Sequence, residues 1–229
     1  MIGSAQLQRI YEAAEDCVAV GRYGNAAKLL AGLLVQDPEP DHARIAAVLD
    51  AIIELSSEPT ALINRAAMLL DPTMEEEFDP ERALALLQDA ADQTDDPDHP
   101  DHALTGLAHG MIADCYIRGA GVSADPDIGF SHYLIAAEFG NAKAAFNVGL
   151  AYDQGVLGQV VDRDAAKRFY KIAADGGEAA AMTRLAVLYM TDQDPPDEVT
   201  VVDLLEAAAG LGDQDAEEIL QNLQDDVLP

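Results

Sequence analysis

Apolar residues recur along this chain at helical spacing, and in its C-terminal half the pattern repeats itself. Over 108–140, Ala108, Ile112 and Tyr116 fall at i, i+4 and i+8, one stripe of an amphipathic helix. Gly119 and Gly121 follow, where a helix end needs positive φ. Asp125-Pro126 then reads as a helix start, because Asp caps free backbone N–H groups and Pro is tolerated at the first helical position. The second helix is expected to carry Ile128, Tyr133, Ala136 and Ala137 inward and to end at Gly140. The same sentence is written again over 144–177, with Tyr152, Gly155, Asp162, Tyr170 and Ala173-Ala174-x-x-Gly177 in the corresponding places. The offset is 36 residues at the first tyrosine and 37 after the loop. In a third copy, Tyr189 stands 37 residues beyond Tyr152, and the copy closes with Ala208-Ala209-x-x-Gly212. A pair of short helices cannot bury its apolar face alone, so such copies must stack.

Upstream, 61–92 reads as a degenerate copy. ALINRAAMLL supplies a first helix, and Asp79-Pro80 restarts a second, ERALALLQDAAD, with Ala90-Ala91 in the familiar place. The segment 93–101 is polar and proline-containing, so it reads as an exposed acidic linker. Residues 1–60 carry three further amphipathic segments, 5–19, 21–38 and 41–55, and 102–229 holds the three clear copies followed by a capping helix over 214–224. The expected architecture is all-α, one continuous array of stacked helix-turn-helix repeats with ten or eleven helices.

The pattern A-x-x-x-[L/I/V]-[G/A]-x-x-Y-x-x-G, the GAGV loop at 119–122 and the D…Y-x-x-A-A-x-x-G ending resemble the Sel-one-like repeat family, a relative of the tetratricopeptide repeat. The segment GRYGNAAKLLAGLLVQDP at 21–38 is similar to a tetratricopeptide second helix. The resemblance covers 105–180 most closely and 181–220 less so; His132 and Phe169 stand where the family often has Trp, and Ala113 and Ala186 replace its helix glycine. It implies a right-handed superhelical α/α solenoid and a role as an adaptor in the assembly of protein complexes.

Charge narrows the partners. Against 42 Asp and Glu stand 13 Lys and Arg, a formal charge of −29. That surface repels phosphate backbones and anionic lipid, so neither nucleic acid nor membrane is an expected partner. Residues 71–102 hold twelve acids and one base, Arg82, and 185–229 hold twelve acids and no base. Six of the 13 basic residues, Lys143, Arg163, Lys167, Arg168, Lys171 and Arg184, concentrate within 143–184. The acidic ends read as a solvated surface, as a docking face for a basic partner, or as adaptation to high salt, for which four lysines against nine arginines is a cue. The N-terminal residues lack the basic and apolar regions of a secretory signal, no apolar stretch is long enough to span a bilayer, and Cys17 and Cys115 make no metal or redox spacing. A cytoplasmic protein, monomeric when unbound, is expected.

No phosphate-binding glycine loop, G-x-S-x-G or H-E-x-x-H occurs. GAGV at 119–122 sits between two repeat helices, which accounts for its glycines. The cluster 95–109, where His99 and His102 alternate with Asp96, Asp98 and Asp101, is competent for a divalent cation, but its acidic linker character favours solvation. Cys115 replaces Ala151 and Leu188 of the other copies and so reads as a packed thiol, and the recurring tyrosines read as core wedges. Specificity should lie instead at polar first-helix positions that differ between copies: His109, Asp114, Arg118, Asn147, Asp153, Gln154 and Arg184. In related solenoids such positions line the concave face. The reading is thus a non-catalytic module, without cofactor or bound metal, holding a partner protein or peptide on a concave, partly acidic surface, with a basic partner as the sharper form. One alternative is an acidic immunity or inhibitor protein that neutralises a basic toxin or effector. The other is a metal-dependent regulator or enzyme using 95–109.

Overall fold

The computed structural model describes residues 4–37, 40–75, 77–95, 102–192 and 201–225. Those residues form twelve α-helices and no strand. They are α1 (Ser4–Ala19), α2 (Tyr23–Gln36), α3 (His42–Ser56), α4 (Pro59–Leu69), α5 (Pro80–Thr94) and α6 (His102–Arg118) in one compact unit, Met1–Asp125. The other unit, Pro126–Pro229, holds α7 (Pro126–Glu138), α8 (Ala142–Gln154), α9 (Arg163–Asp175), α10 (Ala179–Asp192), α11 (Val201–Gly210) and α12 (Gln214–Asp225). The count exceeds the ten or eleven expected but equals the number of segments read from the sequence, three in 1–60, two in 61–92 and seven in 102–229, each of which forms its own helix.

Helix ends follow the local chemistry. Asn141, Asp162 and Asp213 each accept a hydrogen bond through Oδ1 from the backbone N–H three residues on, at 3.0, 2.9 and 2.9 Å. Asp79 does the same for α5, with Pro80 at its first position. The recurring Ala-Ala-x-x-Gly has a backbone reason too. Asn141 N–H donates to the Ala136 carbonyl at 2.9 Å and Gly140 N–H to that of Ala137 at 3.0 Å, the paired bonds that close a helix around a left-handed residue. Glu178 and Gly177 repeat these bonds on Ala173 and Ala174, and Asp213 and Gly212 on Ala208 and Ala209. Gly140 and Gly177 accordingly stand at φ 82° and 88°.

Each second helix packs on the first helices before and after it within its unit: α5 on α4 and α6, α9 on α8 and α10, α11 on α10 and α12. One core gathers Leu62, Ala66, Leu69, Leu87, Ala90, Ala108, Ile112 and Cys115 from α4, α5 and α6. Another joins Tyr11, Leu30, Leu33, Ile45, Leu49 and Ile52 from α1, α2 and α3. In the second unit Tyr170 is fully buried, with Ala166, Ala173, Ala181 and Leu185 in the same core. Tyr133 and Tyr170 are buried wedges, whereas Tyr116, Tyr152 and Tyr189 are half-buried. The ring of Tyr152 meets that of Phe130 edge-on at 5.6 Å and stacks on Phe169 at 6.0 Å. Ile128 does not point inward as expected; it is 40% exposed, and Gly129 and Phe130 are buried in its stead. Five residues from Tyr133 is well off the stripe that Phe130, Tyr133 and Ala137 define at 3.6 residues per turn.

Residue sizes are matched across three of the helix pairs, although the copy over 102–141 has Ala113 and Tyr133 at the corresponding positions. Gly149 on α8 faces Tyr170 on α9 so closely that an added Cβ would lie 2.6 Å from the ring. At the corresponding places Ala66 shares a core with Leu87, and Ala186 with Leu205. In those three pairs the smallest residue thus accompanies tyrosine, and alanine accompanies leucine, which keeps the packed volume nearly constant. Gly149→Ala should therefore destabilise the protein by about 1–3 kcal/mol. Adding Tyr170→Leu should recover much of that loss in a double-mutant cycle followed by thermal unfolding. Gly140→Val and Gly177→Val should each cost at least about 1–2 kcal/mol through the left-handed backbone alone, since nothing lies within 4 Å of an added Cβ at either site. Unchanged melting temperatures would contradict this assignment of the helix ends.

Candidate functional site

In the first unit a groove of about 450 Å³ opens between α4, α6 and the segment that joins α4 to α5. From α6 it receives Met111, Asp114, Cys115 and Arg118, spaced i, i+3, i+4 and i+7 and hence on one face. The joining segment contributes Leu70, Asp71 and Phe78. Phe78 is 46% exposed.

This wall is braced by its own hydrogen bonds. Asp71 Oδ1 accepts from Thr73 N–H at 2.8 Å and from Thr73 Oγ1 at 2.7 Å. The same bonds hold the Asp71 carboxyl below its ordinary pKa, so it is an anion at neutral pH. Asp79 N–H donates to the Leu69 carbonyl at 3.0 Å, closing the segment at its base. Behind it lies Arg65, 5% exposed, whose Nη1 makes an ion-pair contact with Glu77 Oε2 at 2.7 Å that is not aligned as a hydrogen bond, while Nε donates to Asp50 Oδ1 at 3.1 Å. Asp50 Oδ1 also accepts from Arg82 Nη2 at 2.8 Å. A guanidinium so buried is tolerable only when paired, and here the pairing ties α3, α4, α5 and the joining segment together.

Of the seven polar positions picked out from the sequence, Asp114 and Arg118 line this groove. His109 is turned inward, at 9% exposure. In the second unit, Asp153 Oδ2 accepts from the Tyr170 hydroxyl at 3.3 Å. Burial, reinforced by the Asp153 charge, pushes the Tyr170 hydroxyl above its ordinary pKa, while Arg184 pulls the other way. Gln154 and Arg184 are exposed and Asn147 is half-buried. Leu70, Asp71, Phe78 and Met111 were not anticipated. The available signal was Phe78, a large apolar residue stranded in the acidic run TMEEEFDP before a helix start.

Cys115 is buried and its thiol is pushed up to about 11, by burial first and the Asp114 charge next, so it is not a thiolate nucleophile at neutral pH. Asp96, Asp98, His99 and Asp101 lie outside the described residues, and His102 begins α6. Among the described residues no group of three His, Cys, Asp or Glu side chains could hold a metal ion. None of the described helices is long and apolar enough to cross a membrane.

Stacked helix pairs with recurring Asp or Asn caps and Ala-Ala-x-x-Gly endings define a helical-repeat protein of the α/α solenoid class. The Sel1 repeat model matches residues 59–95, 102–141, 142–178 and 179–213, and the chain belongs to the Sel1 repeat family. Sel1 repeat proteins are generally protein-interaction modules and typically non-catalytic. A Sel1 repeat protein from Oxalobacter formigenes has a similar fold, with a TM-score of 0.70 at 21% identity over 93% of this chain and 89% of that one. A protective antigen of uropathogenic Escherichia coli with an SLR fold matches at a TM-score of 0.45 and 17% identity, over 94% of this chain and 60% of that one. An immunity protein from Pseudomonas aeruginosa matches at a TM-score of 0.45 and 17% identity, over 86% of this chain and 83% of that one.

Burial at His109 gives a pH signature. Desolvation lowers its pKa below the ordinary 6.5, outweighing the opposing charges of Asp95 and Asp92. The folded state therefore keeps a neutral imidazole, while the unfolded chain takes up a proton near pH 6.5. The stabilisation is present above that pH and drains away as pH falls toward the folded value, by up to about 1.4 kcal/mol per pH unit. Partial neutralisation of the −29 charge acts in the opposite sense over the same range. The comparison that isolates His109 is thus wild type against His109→Gln. Between pH 7 and about 5.5, wild type should lose stability relative to the variant in denaturant titrations. Parallel curves would contradict the burial.

Proposed function

We propose that this chain is a non-catalytic adaptor that holds a basic partner protein or peptide on the first-helix face of its repeats. The groove between α4 and α6 carries this reading, because it offers an apolar floor and anionic side chains on a braced wall. Both helices are the first of their repeats as the family model phases them, at 59–95 and 102–141. The charge of −29 supports a cationic partner, since attraction of opposite surfaces accelerates encounter and disfavours acidic competitors. Both cysteines are free thiols, in keeping with a reducing, cytoplasmic setting. Neutralisation of a basic toxin or effector is a narrower form of the same reading and rests on the same charge.

The test is affinity capture from host lysate at low salt and at roughly 0.5 M, where the Debye length shrinks to about 4 Å. A basic protein retained at low salt and released at high salt is the expected result. A partner held equally under both conditions would move the weight to apolar contacts and remove the charge argument. No partner under either condition would contradict the adaptor role.

A further inference from the structure

The groove between α4 and α6 is more selective than an acidic surface needs to be. Its apolar floor is made by Leu70, Met111 and Cys115, and Phe78 stands beside them with nearly half its surface in water. The charged residues that line the groove are two acids, Asp71 and Asp114, and one base, Arg118, in a chain whose net charge is −29. Arg118 lies one turn beyond Asp114 on α6. The wall is already ordered by the Asp71–Thr73 bonds, the Asp79–Leu69 bond and the buried Arg65–Glu77 pair. An occupant would therefore not have to bear the cost of ordering it.

We propose that this groove takes a short cationic segment of the partner carrying a bulky apolar side chain, which seats against Leu70, Phe78 and Met111 while its Lys or Arg neighbours face Asp71 and Asp114. The inference rests on the adaptor reading and adds to it the site and the chemistry of the segment bound. Three features of the groove fix that chemistry. A purely cationic segment would leave Phe78 and the floor wet. A purely apolar one would bury the Asp71 carboxylate without a counter-charge, which is costly. An acidic one would meet Asp71 and Asp114 and the field of a chain that carries a net charge of −29. Arg118 adds a direction: the segment's cations lie toward Asp71 and Asp114, and a carbonyl or carboxylate of the segment lies toward Arg118.

The experiment is an NMR titration of the isotope-labelled full chain with three synthetic peptides. The first alternates Lys pairs with Leu-Phe pairs, the second has Glu for each Lys, and the third has Ser for each Leu and Phe. With the first peptide, shifts should concentrate in Leu70–Phe78 and Met111–Arg118, and binding should be at least tenfold tighter than with either control. Phe78→Ser and Asp114→Lys should each weaken it tenfold or more. Ala67→Arg, at an exposed position lining the groove, provides a second blockade that spares the core and should act alike. Equal binding of the Ser peptide, or indifference to all three variants, would overturn the proposal in favour of diffuse electrostatics. Binding of neutral indole in the groove as tightly as the peptide would overturn it in favour of a small-molecule pocket. Shifts elsewhere on the chain, alongside a basic partner captured in the salt experiment, would remove the groove and leave the adaptor reading standing; a failed capture removes that reading itself.

Discussion

No helix pair in this protein can be stable by itself, because each second helix has apolar residues on two sides. Its Ala-Ala pair and its large wedge residue are buried only when a first helix lies against each side, as α5 lies between α4 and α6 and α9 between α8 and α10. Alanine makes the close approach possible, and the size rule at Gly149 and Tyr170, Ala66 and Leu87, and Ala186 and Leu205 keeps those seams filled. Recurrence in the sequence is thus a record of this demand: each copy must present the same shape to its neighbour. The helix caps and the left-handed glycines then limit each helix to the length its neighbours cover.

Packing with small residues leaves the first helices free to vary where they face away from the core. On α6 that freedom yields a face with Met111, Asp114 and Arg118, while Ile112 and Cys115 hold the helix in place. Electrostatics supplies the second level of order. A chain with so few cations uses several of them structurally: Arg65 and Arg82 converge on Asp50, and Arg44 pairs with Glu15 at 2.7 Å. The excess acid is left at the surface, where it costs self-repulsion and supplies a long-range attraction for cations. Arg65 links the two levels, since its buried pair with Glu77 fixes the segment that carries Phe78.

Most of the fold was legible because its rules are local. Asp-Pro and Asn caps, Ala-Ala-x-x-Gly endings and a repeat of some 37 residues each act through the backbone within a turn or two. Phase within a helix was less secure. Ile128 was placed inward on hydrophobicity, yet the stripe through Phe130 and Tyr133 leaves it outside. The candidate site was half legible. Asp114 and Arg118 were picked out as positions that differ between copies and line the groove, whereas His109, chosen by the same rule, is buried. Variation between copies marks a residue freed from the common packing, but it does not distinguish a solvent face from a local adjustment inside. Phe78 and Asp71 were missed because their significance comes from a non-helical segment folding beside α6, a contact between residues more than thirty positions apart.

Hydrogen–deuterium exchange of the chain alone and with its captured partner tests most directly whether the first-helix face is the working surface. The account predicts that the partner slows exchange in the Leu70–Phe78 segment and in α6, and leaves the second helices, already protected by two neighbours, unchanged. Slowing confined to α5, α9 or α11, with α4, α6 and the segment between α4 and α5 untouched, would contradict it.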